Sequence, residues 1–301
     1  MTSPATRDPA TSTADTARRD TAYPAPGRSA STRRRGNGPL WVGAAFLGAV
    51  VLTALFAPLI APYDPDAIDF ASVWTPPGAE HWLGTDQMGR DLLSRVVFGA
   101  REGLLAPLAL LLLASALGVA AGTLAAWRRG WVDAVLARVT DVMYAFPGLL
   151  FVVLVVAVFG SGMTTAVVAL GLAFAPIIAK FTRSLALAEV ARPYVDAYRV
   201  QGVSGLVICV RYVIPNLAPA LLGYLVVLFG EALMGLATLS FLGFGAQAPS
   251  SEWGLMVQEG QAALIQGVLW PSLVPGTAIA LVVIAFNIVG VRLADLLSPR
   301  R

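Results

Sequence analysis

Apolar positions along this chain come in long blocks, separated by short polar stretches, and do not alternate with polar ones. The blocks fall at about 40–60, 103–126, 146–160, 163–179, 217–241 and 269–297. A helix rises about 1.5 Å per residue and a bilayer's hydrocarbon core is about 30 Å thick, so a block of about twenty apolar residues can cross it. Inside lipid every backbone group must be paired within the protein, which leaves helices or closed barrels. Unbroken apolar runs lack the in–out alternation of a barrel strand. The pattern therefore predicts an all-α, polytopic membrane protein with six transmembrane helices.

The third block is short. Pro147 to Phe159 would cover only about 20 Å as a helix. Its helix is expected to start earlier, within 139–146, and to kink at Pro147. Gly160-Ser161-Gly162 reads as a tight turn into the fourth span. A hairpin of two helices in place of this one span is the alternative, but it breaks the charge pattern below. Residues 1–39 are rich in Ser, Thr, Ala, Pro and Arg, lack an apolar cluster, and are expected to form a disordered cytoplasmic tail. The first span is too long for a signal-peptide core and has its basic flank on the N-terminal side, so a retained anchor is expected.

Basic residues orient the spans, because cytoplasmic segments accumulate Arg and Lys. The chain holds 21 of them, and with the N-terminus inside only Arg90, Arg95 and Arg101 fall in outer loops. Both termini and the 180–216 loop are therefore placed on the cytoplasmic side. Composition agrees: 57% of residues are hydrophobic and 13% charged, against about 25% charged in soluble domains. Cys209 is the single cysteine and His81 the single histidine, which excludes an internal disulfide and a cysteine-cluster metal site. Lys180, the only lysine, sits in Ala-Lys-Phe, so the chain has no Gly-Lys-Ser/Thr phosphate loop and no ATP site of its own.

The segment 194–216 is too long for a simple reversal. Pro193 can open a helix, and Tyr194, Ala197, Tyr198 and Gln201 follow at helical spacing. Gly202 stands where a helix end needs positive φ. Ser204 can cap a second helix, 205–214, with Leu206, Val207, Val210 and Ile214 as its apolar face. Pro215-Asn216 would close the loop before the fifth span. This unit could lie on the inner leaflet, or could serve as a rigid docking surface that transmits a push. The residues alone leave both readings open.

Six other features carry weight. Thr85 to Phe98 reads as an outer amphipathic helix with Met88, Leu92 and Val96 on its apolar face. Its pairs Asp86/Arg90 and Asp91/Arg95 are worth about 0.3–0.5 kcal/mol each as exposed i,i+4 contacts. Glu231 is the one acid deep in a span, and such residues face a protein interior or a cavity. Both a structural partner at a subunit interface and a pathway role remain open for it. Asn287, Arg292 and Asp295 read as end-of-helix structure. His81 reads as an ordinary polar loop residue, Cys209 as a small packing residue, and Trp41, Trp82, Trp127, Trp131, Trp253 and Trp270 as an aromatic belt.

The spacing Asp196-Ala197-Tyr198, three residues, Gly202, nine residues, Tyr212-Val213-Ile214-Pro215 resembles the E-A-A, x3, G, x9, I-x-L-P loop of ABC importer permeases. Asp196, Tyr198 and Tyr212 depart from it, while the spacing, Gly202 and Pro215 are intact. His81 to Arg95 is similar to the segment before the second span of dipeptide, oligopeptide and nickel permeases of the short-first-loop type. Leu239 to Gly245, Trp253-Gly254 and Asn287 to Pro299 are similar to later segments of the same family. The resemblance covers about 40–300. It implies a type I ABC importer permease fold, N-in/C-in, with residues 40–301 as the permease domain in a prokaryotic plasma membrane. It also implies a second permease subunit, two ATPase subunits that bind ATP and Mg, and an extracytoplasmic solute-binding protein, with surrounding lipid and no nucleic acid. Tyr194, Asp196, Ala197, Tyr198, Gln201, Gly202, Ser204 and Pro215 would then be ATPase contacts, and the outer 85–98 segment could touch the binding protein. Peptides are the expected cargo, with nickel or another small solute as the alternative. A self-sufficient secondary transporter or channel would want several intramembrane charges, and Glu231 alone is offered. A scaffold that carries no solute is the remaining class.

Overall fold

A computed structural model describes residues 38–297. Among them the regular structure is helical apart from one isolated bridge, Thr85 to Asp91. The long helices are α1 (Gly38–Leu55), α3 (Leu92–Arg128), α6 (Met163–Val190), α9 (Ile214–Phe241) and α12 (Trp270–Leu297). Between them lie α2 (Ala57–Ile60), α4 (Gly130–Ala145), α5 (Gly148–Phe159), α7 (Pro193–Val200), α8 (Gly205–Ile208), α10 (Trp253–Glu259) and α11 (Gln261–Ile265). Five helices are long and apolar enough to cross a membrane, and α4 with α5 makes a sixth if the bent pair is one span. The expected disordered tail, 1–39, lies outside the described residues except for its last two, which already belong to α1.

Helices α3 and α6 form the central pair. Small residues set their closeness: a Cβ at Gly118 would stand 2.8 Å from the Ala175 carbonyl oxygen, and one at Gly122 2.6 Å from that of Ala179. This small-x3-small spacing lets helix backbones approach where lipid offers no hydrophobic drive. A middle core, including Leu110, Val156, Leu170, Leu228 and Leu236, joins α3, α5, α6 and α9. An inner core around Val190, Val195, Ile208 and Leu217 ties α7 and α8 to the ends of α6 and α9. An outer core around Leu92, Leu233, Trp253 and Val282 ties α10 to α3, α9 and α12.

The third span differs from the kinked helix expected. Helices α4 and α5 meet at 86°, an elbow in place of a kink. The residue before a proline is driven out of the helical region, and Phe146 takes φ −82°, ψ 128°. Gly160 (φ +91°) then turns the chain into α6. Two boundaries also shift. The α3 helix begins at Leu92, well before residue 103, and α6 continues through Val190, so only 191–213 remain for the cytoplasmic connection.

Candidate functional site

The cytoplasmic connection folds as a compact unit. Pro193 opens α7 at its first turn, where a missing N–H costs nothing. Gly202 ends the helix at φ +79°. Its N–H donates to the Arg199 carbonyl at 3.0 Å and the Val203 N–H to the Tyr198 carbonyl at 3.1 Å. These are the paired bonds of a Schellman closure, and Tyr198 and Val203 both pack on the inner core.

Glu189, in the last turn of α6, seats this unit. Its side chain is 7% exposed. It accepts hydrogen bonds from the Tyr194 hydroxyl and from Asn216 Nδ2, each at 3.0 Å, and pairs with Arg192 Nε at 3.0 Å. One acid thus links α6, α7 and α9. Burial pushes the Tyr194 hydroxyl pKa up. The Arg199 guanidinium lies 4.5 Å above the Trp127 ring of α3 and 3.1 Å from Asp196. Gly205 packs flat against Trp127, where a Cβ would meet the ring at 2.6 Å. Tyr198 stacks on Tyr212.

Three details differ from the sequence expectation. Ser204 stands at the N-cap of α8, but its side chain makes no capping bond. The second helix does not stop at Pro215. From α8 it widens into a π-turn over Cys209–Val213, closed by the Ile214 N–H on the Cys209 carbonyl, and runs on into α9. The wider turn gives the Pro215 ring, which lacks an N–H, a place inside a continuous helix. The apolar face also takes a direction that the pattern had not given. Ile208, Cys209 and Val213 pack inward, while Leu206 (75%), Val210 (57%) and Val200 (89%) stand exposed. Asp196, Ala197, Gln201, Gly202, Ser204 and Pro215 are exposed with them, and Tyr194 and Tyr198 are half-buried.

The outer segment 85–91 is not helical. Gly84 (φ +80°) and Gly89 (φ +73°) turn the chain left-handed, and a Cβ at Gly89 would run into the Asp69 carbonyl. Asp86 Oδ1 accepts from the Met88 and Arg90 amides, at 2.7 and 3.0 Å. Asp91 caps α3 through Ser94 and takes His81 Nδ1 at 3.0 Å on its other oxygen. His81 is thus a loop residue tethered to the start of α3. Asp86 pairs with both Arg90 Nε (2.6 Å) and Arg95 (2.7 Å), and Glu259, at the end of α10, takes the same two arginines at 2.8 and 2.7 Å. All four side chains are at most 8% exposed. The expected Asp91/Arg95 pair is replaced by this four-charge clamp.

Sequence reasoning missed Glu189 and Glu259. Each acid ends a helix, where the macrodipole disfavours negative charge, and that misplacement was the available signal. Glu231 lies on α9, exposed on the single chain. No cluster of His, Cys, Asp and Glu among the described residues could hold a metal ion.

The described residues form a bundle of membrane-length helices with a glycine-broken unit seated on the ends of α6 and α9. Residues 118–301 match the family described as binding-protein-dependent transport system inner membrane component, and 26–77 match the N-terminal TM domain of oligopeptide transport permease C. The chain belongs to this family of ABC importer permeases, in its peptide and oligopeptide branch, as a multi-pass protein of the cytoplasmic membrane. It is 39% identical over 259 residues, 86% of this chain and 87% of the relative, to a protein of Brucella suis biovar 1 (strain 1330) described as a peptide transport system permease. It is 35% identical over 260 residues, 85% of each chain, to the glutathione transport system permease protein GsiD of Escherichia coli O157:H7. Its fold is similar to a chain of the inward-facing MetNI methionine ABC transporter, with TM-score 0.55 and 17% identity over 69% of this chain and 98% of that one.

Proposed function

We propose that this chain forms part of the pore of an ATP-driven importer of short peptides, and that residues 193–214 receive one of its ATPase subunits. The observation that carries the docking role is the outward-facing apolar face. Val200, Leu206, Val207 and Val210 project away from a unit fixed to α3, α6 and α9 through Trp127 and Glu189. A stiff unit with an uncovered apolar face can pass a partner's displacement to the spans. Two ATPase subunits, holding ATP and Mg, would dock on this chain and on a sister permease, and an extracytoplasmic binding protein would deliver cargo. Peptide cargo is favoured because relatives above one-third identity are described as peptide and glutathione permeases.

Reconstitution tests this reading. The four membrane-associated subunits in vesicles, with the binding protein outside, should take up a labelled short peptide only when ATP is present on the ATPase side. Leu206→Asp together with Val210→Asp should release the ATPase on purification and abolish uptake. Uptake without ATP, or a double variant that retains its ATPase and transports normally, would sink the proposal.

A further inference from the structure

Glu231 has no explanation within the single chain. It lies ten residues before Phe241, the outer end of α9, so about 15 Å into a hydrocarbon core about 30 Å thick. It is exposed. Among the described residues no Arg, Lys or His pairs with it. An acid at that depth cannot be turned to acyl chains, so its face of α9 meets a water-filled passage or another protein.

The same face continues in both directions at helical spacing. Tyr224 and Val227 lie inward of Glu231, Met234 and Thr238 outward, and all four are at least partly open. Outward from Met234 runs an apolar groove of about 500 Å³ between α9, α10 and α12, bounded by Met234, Thr238, Gly254, Gly276, Ala280 and Val283. Val283 and Ile284 stand at its inner end on α12, and Val283 also lies against Gly230, the neighbour of Glu231, where a Cβ would stand 3.4 Å away. Glu231 does not itself bound the groove but stands one helical turn inward of Met234, so an unpaired acid lies just beyond the inner end of an open groove walled by small and apolar residues.

That pairing of charge and shape fits one chemical group closely, an amino-terminal residue with its ammonium beside its side chain. We infer that Glu231 lines the translocation passage and receives the α-ammonium of the cargo, while the first side chain of the cargo rides in the Met234–Gly276 groove. The inference rests on the proposed peptide cargo and adds a recognition element inside the membrane. A cation on the sister permease is the competing occupant of the same acid.

Two measurements on the complete reconstituted importer separate these outcomes. In a Cys209→Ser background, Glu231→Cys should react with a water-soluble trimethylammonium methanethiosulfonate reagent. A thiol at 231 that stays unreactive in the assembled complex overturns the inference. In the second, uptake of a dipeptide with a free amino terminus is compared with uptake of its N-acetylated form. Glu231→Gln should slow the free form by about tenfold or more, as expected for a lost charge-assisted contact, and leave the acetylated form nearly unchanged. Equal loss for both forms, or loss of the sister permease on purification, assigns Glu231 to the subunit interface and overturns the inference. Wild-type importer that takes up neither form, with the thiol at 231 still reactive, overturns the peptide cargo itself.

Discussion

The Tyr198 ring lies on the Tyr212 ring, centroids 4.3 Å apart and planes 25° from parallel. These are two of the three positions where the loop departs from the E-A-A, x3, G, x9, I-x-L-P pattern, which has a small residue at one and an aliphatic one at the other. The two departures are thus one coupled change. Stacked aromatic pairs gain more than their buried area alone supplies, and residues in contact do not contribute additively. Tyr198→Ala or Tyr212→Ile alone should lower the melting temperature of the purified complex. The double variant, which restores the family pairing, should lose less than the two single losses combined. Strict additivity in that cycle would show the rings to be neighbours without coupling.

The outer clamp makes a larger prediction. Asp86, Arg90, Arg95 and Glu259 are buried and share their bonds around a closed set of four charges. Removing one member strands its partners, at a cost of about 3–5 kcal/mol for buried pairs. Arg95→Ala and Glu259→Ala should each strongly reduce thermal stability, and the Arg95→Ala/Glu259→Ala double variant should cost clearly less than their sum. Thermal unfolding of the three proteins in one detergent checks this. A near-silent Arg95→Ala would mean that the clamp contributes nothing to holding α10 against α3.

The clamp also shows where the sequence was legible and where it was not. Apolar block length located the long spans, and Gly202 was recognisable from its place between two helical patterns. Residues 85–91 were misread because Asp86/Arg90 has helical spacing, yet Gly84 and Gly89 both hold positive φ and the Asp86 side chain organises a turn. Glu259 lies 164 positions from Arg95, and no local periodicity encodes a contact of that range. Leu206 and Val210 carried an apolar signal, but a pattern gives a face without its direction. Packing of Ile208 and Val213 on α6 and α9 decided that Leu206 and Val210 point away. The Phe146–Pro147 break was visible as a proline, while its 86° angle depended on what α4 and α5 each pack against.

Glu252 gives a pH-dependent prediction on the outer side. It caps α10, accepting the Leu255 N–H at 2.8 Å, and is 2% exposed. Burial raises its pKa above the usual value of 4.5, against the opposing pull of the Gly254 and Leu255 amides. The folded protein therefore keeps this proton to a higher pH than the unfolded chain does. Its contribution to stability is full below 4.5 and is lost as pH rises through the folded value. Glu252→Gln keeps a carbonyl acceptor for the cap and removes the titration. The variant should match wild type in acid and melt higher at neutral pH, by about 1.4 kcal/mol for each unit by which the pKa is raised. A variant that matches wild type in acid but is less stable at neutral pH would assign the residue's worth to its charge in the cap.

Gly202 separates the backbone of the proposed docking unit from its side chains. At φ +79° any L side chain is strained, by about 1–2 kcal/mol, but the space around a Cβ there is open. Gly202→Ala should therefore fold, assemble and transport at a reduced rate. Gly202→Pro adds two faults: its ring excludes positive φ, and it lacks the N–H that donates to the Arg199 carbonyl at 3.0 Å. The Schellman closure would open, and Tyr198 and Val203 would lose their shared seat on the inner core. Gly202→Pro complex should keep its sister permease, lose its ATPase on purification, and show no ATP-driven uptake, while the outer clamp remains intact as judged by limited proteolysis of the 61–91 and 242–268 loops. A Gly202→Pro importer that retains its ATPase and its uptake would sink the docking role proposed for residues 193–214.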